Sequence, residues 1–176
     1  MSNYPVVLLI EQALTELDAT QVTSLHRGVE GGADYTVLLP VEDAAGRVEA
    51  AMGALGSGEV VAPMALSSDE YLEMQQELLS IARDALQASL TALNNAGASA
   101  SGTVVTDDPV HALVDAVAST TAREAIVLTR PHVVAEFFHV DWTSRARRKL
   151  GVPVLHLLEH ESFEEQSGHG QGMPGI

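Results

Sequence analysis

The chain has 176 residues, of which 46% are apolar, enough for one domain with a sizeable core and too many for a disordered chain. Its formal net charge of −15 at pH 7 disfavours nucleic acid and anionic membranes as partners, because an acidic chain repels both. The sequence has no cysteine, which excludes disulfides, thiolate metal sites and a cysteine nucleophile.

No segment of the sequence predicts membrane insertion or secretion. The longest apolar runs are far shorter than the roughly 20 residues of a membrane-spanning helix. No basic residue precedes the first apolar run, as a secretory signal would require. We therefore expect a cytoplasmic protein with no membrane partner.

The first part of the chain alternates apolar runs with a helical segment. Residues 5–10 form an unbroken apolar run, which is typical of a strand buried on both faces of a parallel sheet. A helix is predicted at about residues 20–29, because Asp18 and Gln21 have capping-box spacing and a glycine pair follows as a stop. A second apolar strand is predicted at residues 35–41.

A long connection and a long helix come next. Residues 42–67 are rich in Ala, Gly and Ser, which predicts an exposed connection serving either as a lid or as a partner-binding arm. Residues 68–95 form the clearest helix, ended by Gly97. An apolar stripe predicts that this helix packs on the sheet, with an isolated coiled coil as the alternative. The stripe consists of Leu72, Leu79, Leu86 and Leu93.

The rest of the chain adds three strands and two helices. A strand is predicted at residues 101–106, followed by a helix with Asp108 as its N-cap and Pro109 at its first position. Further strands are predicted at residues 125–129 and 152–158, with a short basic helix before the last strand. Right-handed crossovers then give a doubly wound, mostly parallel five-stranded α/β sheet with helices on both faces.

The chain is expected to be a single domain over residues 1–160. Residues 161–176 have low complexity and no periodicity, which predicts a disordered tail.

The element order and two sequence units resemble the universal stress protein family. The units are "DDPVHALVDAV…AREAIVLT" and the closing strand "GVPVLHL", and the likeness extends from Pro5 to about Glu159. The resemblance implies a Rossmann-like fold and a homodimer that pairs through its last strand, where an apolar edge would otherwise be exposed. The residues implied at that interface are Val152, Pro153, Val154, Leu155 and Leu157.

The resemblance also implies where ATP would bind and how this sequence departs from that pattern. The acidic position after the first strand falls on Glu11. The two early glycines of the phosphate loop fall on Thr129 and His132, and the late Gly-Ser pair falls on Val140 and Asp141. The loop is also about two residues shorter than the family motif G-x2-G-x9-G-S/T.

These departures predict that ATP does not bind in the family mode. A side chain in place of glycine fills the space through which the backbone approaches a phosphate. Asp141, placed at a helix start, would occupy the anion position and repel a triphosphate. We therefore expect no cofactor, with ATP and AMP disfavoured.

Other constellations in the sequence predict neither a metal site nor an enzyme. The polar residues of one predicted loop have no recognised metal-binding spacing. They are His132, Glu136, His139 and Asp141. No G-x-S-x-G pattern is present, so a serine hydrolase is not expected.

Two functions follow from these observations. The favoured one is a non-catalytic module that forms a homodimer and acts in stress response by association with an unidentified protein partner. The alternative is a sensor that binds an adenine nucleotide or another small ligand where the strands end, as parallel sheets do. Its predicted site contains Glu11, Val41, Thr106, Arg130, His132 and Asp141.

Overall fold

The computed structural model describes residues 4–41, 68–129 and 150–158. No helix in this described part of the chain is long and apolar enough to cross a bilayer. The elements, in chain order, are β1 (Tyr4–Ile10), α1 (Glu16–Ser24), β2 (Ala33–Pro40), α2 (Ser68–Asn95), β3 (Ser99–Val105), α3 (Pro109–Thr120), β4 (Glu124–Thr129) and β5 (Val154–Leu158).

The five strands form one sheet in the order β3-β2-β1-β4-β5, and every pair is parallel. Buried residues of α1 and α2 join one core cluster, and those of α3 join the cluster on the other face. The predicted doubly wound five-stranded sheet is thus confirmed. The strand order reverses between β1 and β4, because the chain first builds outward to β3 and then returns to the other side of β1.

Helix α1 begins earlier than the sequence predicted. Thr15 is its N-cap, and Asp18 is the third helical residue of a complete capping box rather than the cap itself. The helix ends at Ser24, and a series of turns then leads to Gly32 and β2. The correction has a physical cause: Thr15 and Asp18 satisfy each other's main-chain N–H groups, which fixes the first turn at Glu16.

Helix α2 has the predicted bounds, but only part of its leucine stripe is buried. Leu86 and Leu93 lie in the core, whereas Leu79 is half-buried and Leu72 is 53% exposed. The predicted packing of the whole stripe on the sheet is therefore wrong for the first turns of the helix. Where α2 does cross β3 it lies close: a Cβ on Gly102 would be 2.7 Å from the Val37 carbonyl oxygen and 2.9 Å from Leu86.

Helix α3 follows its sequence signals closely. Asp108 is the N-cap and accepts a hydrogen bond from the main chain of His111, and Pro109 is the first helical residue. Its Leu113 and Val117 side chains are buried. The predicted connection at residues 42–67, the basic helix before β5 (apart from Leu150) and the tail at residues 161–176 lie outside the described residues.

Candidate functional site

Glu11 lies at the point where the strand order reverses. It directly follows Ile10, which pairs with Leu128 of β4, while Leu9 pairs with Leu38 of β2. Glu11 therefore follows the carboxyl end of β1, between the ends of β2 and β4. Glu11 is half-buried. Where the strand order of an open parallel sheet reverses, a crevice forms at the carboxyl ends of the strands, and ligands bind there.

Two more predicted site residues reach the same edge. The main-chain N–H of Val41 donates a hydrogen bond of 2.8 Å to the Val105 carbonyl, which sets Val41 next to Thr106. Val41 packs partly against the core, and Thr106 is exposed. The structure thus brings Glu11, Val41, Thr106 and the backbone of Thr129 to the C-terminal edge of the sheet.

The other predicted ligand-binding positions, Arg130, His132, Val140 and Asp141, lie outside the described residues, as does the side chain of Thr129. The positions implied for an interface are distributed between surface and core. Leu155 is 39% exposed and Leu157 is buried in the molecule's own core. Pro153 is exposed, and Val152 and Val154 are half-buried.

Helix N-termini at this edge are closed by carboxylates. In α1, the Asp18 carboxylate accepts hydrogen bonds of 2.9 Å and 2.6 Å from the main-chain N–H and the hydroxyl of Thr15. In α3, the Asp108 carboxylate accepts one of 2.8 Å from the N–H of His111. Helix α2 carries two acidic residues in its first turn. These negative charges complement the helix dipoles internally and would repel a phosphate.

The loop that follows Glu11 is hydrogen-bonded to a side chain of α2. The N–H of Leu14 donates a hydrogen bond of 3.0 Å to the Ser89 hydroxyl, which itself donates to the Ala85 carbonyl at 2.8 Å. Ser89 is fully buried. This contact joins the loop before α1 to α2, three residues after Glu11.

The described residues offer no metal centre at this edge or elsewhere. Among the three described ranges, no three His, Asp or Glu side chains are grouped closely enough to hold an ion. Three carboxylates follow β1 and β3, namely Glu11, Asp107 and Asp108, but they form no such group.

A second polar cluster, at the opposite edge, was not predicted from the sequence. His26, in the turn after α1, is 7% exposed. Its Nδ1 lies 2.7 Å from the Tyr35 hydroxyl, and its Nε2 lies 2.5 Å from Oε1 of Glu124. The Tyr35 hydroxyl also lies 3.2 Å from the Val22 carbonyl. Burial, and secondarily the charge of Glu124, raise the pKa of Tyr35 above its usual range, so the phenol stays protonated.

Two further side chains border this cluster. The ring of Tyr4 lies 5.4 Å from the ring of His26, centroid to centroid, and the Arg123 guanidinium lies 4.8 Å from the centroid of Tyr4. The Tyr4 hydroxyl is 3.5 Å from Glu124. One feature of the sequence did indicate this cluster: Tyr35 is a polar residue inside an apolar strand, and a buried tyrosine hydroxyl needs a hydrogen-bond partner.

Comparison with solved structures supports the resemblance in fold. The hypothetical protein MJ0577 matches 92% of this chain over its own full length, with 14% identity and a TM-score of 0.55. The universal stress protein of Archaeoglobus fulgidus matches 88% of this chain and 93% of its own, with 12% identity and a TM-score of 0.46. A universal stress protein family member from Burkholderia pseudomallei matches 89% and 98%, with 16% identity and a TM-score of 0.48.

No family model matches the sequence, and no curated protein matches it. At these identities the likeness concerns the fold. The chain has the α/β fold of universal stress proteins, with its five parallel strands in the order β3-β2-β1-β4-β5.

Proposed function

We propose that this protein is a non-catalytic module that forms a homodimer through β5 and acts in stress response by binding a protein partner. The observation that carries the proposal is the position of β5. Within the described residues β5 is the last strand of the sheet, and its Leu155 side chain is 39% exposed beside the buried Leu157. An apolar side chain on a terminal strand favours pairing with a second copy.

Substitution of Leu155 tests this interface. Leu155→Glu places a charge where the dimer would bury a leucine, so it should convert a dimer to a monomer. Leu25 provides a matched control, because it is also 39% exposed but lies at the end of α1, away from β5. Leu25→Glu should leave the dimer intact. Light scattering after size exclusion at micromolar concentration measures both, and a monomeric unsubstituted protein would refute the proposal.

We also propose that the protein does not bind a triphosphate in the way that ATP-binding members of the family do. What supports it is the charge at the C-terminal edge, where carboxylates close the starts of α1 and α3. A triphosphate there would lose the helix N–H groups as partners and meet negative charge. Calorimetric titration with Mg·ATP should show no binding at millimolar nucleotide, and ATP that co-purifies with the protein would contradict this part.

A second function is favoured by one specific observation, the position of Glu11 at the strand reversal. A half-buried carboxylate beside the open crevice of a parallel sheet can accept hydrogen bonds from a ribose or a similar polar group. On this proposal the protein is a sensor for an adenine nucleotide or another small ligand. Such a ligand would be held at its sugar and base.

Thermal shifts with AMP, cyclic AMP, ATP and S-adenosylmethionine test the sensor. A shift that Glu11→Gln abolishes would support it. Glu30→Gln is the control, because Glu30 is an exposed carboxylate in the turns before β2, at the other edge of the sheet. The absence of any shift at millimolar ligand, or an equal loss in both variants, would reject the sensor.

A further inference from the structure

The polar cluster at the N-terminal edge joins three separate parts of the fold. His26 lies in the turn after α1, Tyr35 lies in β2, and Glu124 begins β4. His26 and Glu124 are 98 residues apart in the chain, and their contact of 2.5 Å is between a buried and a partly exposed side chain. The cluster is far from Glu11, since it lies where the strands begin and Glu11 lies where β1 ends.

All three contacts of the cluster can be hydrogen bonds at once only with one more proton than neutral histidine carries. If the imidazole is neutral with its proton on Nε2, Nδ1 must accept from the Tyr35 hydroxyl, which then cannot also donate to the Val22 carbonyl, and that carbonyl keeps only its 3.3 Å hydrogen bond from the N–H of Leu25. If the proton is on Nδ1 instead, the lone pair of Nε2 faces the Glu124 carboxylate at 2.5 Å, which is repulsive.

With both ring nitrogens protonated, every contact has one donor and one acceptor. Nε2–H donates to Glu124, Nδ1–H donates to the Tyr35 oxygen, and the Tyr35 hydroxyl donates to the Val22 carbonyl. Placing the additional proton on the Glu124 carboxyl instead gives the same proton count. A fully connected network of this kind is stabilising in a buried site, and a partly connected one is not.

The charged surroundings of His26 are compatible with a cation. Glu124 faces it from β4, the neutral phenol of Tyr35 from β2 and the ring of Tyr4 from β1. Arg123 lies on the Tyr4 ring, and Arg27 is the next residue after His26 in the chain and is exposed. The N–H of His26 donates to the Thr23 carbonyl at the end of α1, whose last turn contains no basic residue. A cation here complements the negative end of the helix dipole.

We propose that this cluster is a proton-dependent switch that holds the turns between α1 and β2 in place. A chain of main-chain hydrogen bonds connects the switch to the sheet: Val29 N–H to the His26 carbonyl, Gly32 N–H to the Val29 carbonyl and Tyr4 N–H to the Gly32 carbonyl, each 3.0 to 3.1 Å long. Loss of the proton removes the ion pair and one hydrogen bond of Tyr35. The turns at residues 25–32 then open more often.

Nitrogen NMR of the imidazole in the full chain tests the protonation directly and needs no substitution. His26 should show the signals of a doubly protonated ring, or of a ring sharing its proton with Glu124. Glu124→Gln keeps the shape of the side chain and removes its charge, so these signals should be lost in the variant under the same conditions. A ring that is neutral in the unsubstituted protein, or signals unaffected by Glu124→Gln, would overturn the switch.

Hydrogen exchange tests the opening. After correction for the intrinsic pH dependence, the amides of Val29, Gly32 and Tyr4 should exchange roughly tenfold faster once the proton is lost, because the positive charge opposite Glu124 and the hydrogen bond from Tyr35 to Val22 are lost together. The amide of Asp18, at the other end of α1, is the internal control and should not change. Equal changes at all four amides, or none at the first three, would count against the switch.

Discussion

At the N-terminal edge of the sheet, His26 and Glu124 connect a turn to a strand across most of the chain, whereas at the C-terminal edge Thr15 and Asp18 connect only the first turn of one helix. The contact between His26 and Glu124 stabilises tertiary structure, because its two residues lie in different elements. The contacts between Thr15 and Asp18 only determine where α1 begins. Substitutions at the first edge should therefore weaken the whole fold, and those at the second should weaken single helices or the ligand crevice.

The largest effect is expected at Tyr35. Tyr35→Phe removes the hydroxyl that lies between His26 and the Val22 carbonyl and takes away the 2.7 Å partner of Nδ1 in the buried His26 ring. The free energy of unfolding should fall by about 1–3 kcal/mol. Tyr4→Phe is the matched control, because the Tyr4 hydroxyl makes only a 3.5 Å contact and the residue is half-buried, so its loss should be about 0.5 kcal/mol or less. Urea denaturation measures both, and equal losses would remove the distinction between the two tyrosines.

A smaller loss is expected for the cap of α3 at the C-terminal edge. Asp108→Ala removes the side chain that accepts from the His111 N–H and should cost about 1 kcal/mol. Asp107→Ala, its exposed neighbour outside the cap, should cost about 0.5 kcal/mol or less. If both substitutions lower the free energy of unfolding as much as Tyr35→Phe does, polar contacts at the two edges contribute equally to stability and the comparison fails.

The turn that ends α3 offers a gain in stability. Thr121 has φ +50°, in the left-handed region that a β-branched residue rarely adopts. Thr121→Gly should raise the free energy of unfolding by about 0.5 kcal/mol, since relief of strain exceeds the added chain entropy. Thr120→Gly, one residue earlier inside the helix, should instead lower it by about 1 kcal/mol. Thermal and urea denaturation measure the change in stability of both variants. A loss of stability in Thr121→Gly as well as in Thr120→Gly would show that Thr121 is not strained.

The sequence correctly predicted those helix ends that are defined by residues close to them in the chain. The bounds of α2 and the cap of α3 were predicted because Gly97, Asp108 and Pro109 lie within a turn of the helix ends they define. The start of α1 was missed because its sequence has little apolar periodicity and the capping box was placed at Asp18 and Gln21, one turn after the real one at Thr15 and Asp18.

The sites differ in the same way. Glu11 was predicted at the C-terminal edge because the end of an apolar strand is visible in the sequence, and strand ends converge in a parallel sheet. The cluster of His26, Tyr35 and Glu124 was missed, because its members are brought together only by the strand order β2-β1-β4 and by the turn after α1. A single sequence contains no signal for pairings of that separation.

The smallest effect expected concerns a second histidine, His156 on β5. Burial lowers the pKa of His156. Unfolded histidine titrates at about pH 6.5, so below that pH the unfolded state binds the proton more readily, and stability is lost as the pH falls through the lower pKa of the folded state. His156→Gln should therefore reduce the loss of stability on acidification.

Urea midpoints measured at neutral and mildly acidic pH report this change as a shallower slope. His111→Gln is the control for the replacement of a histidine by glutamine, because His111 is exposed on α3. An unchanged slope in His156→Gln would mean that burial at β5 does not disfavour the charged ring, and that the terminal strand is more open to water than its half-buried side chains indicate.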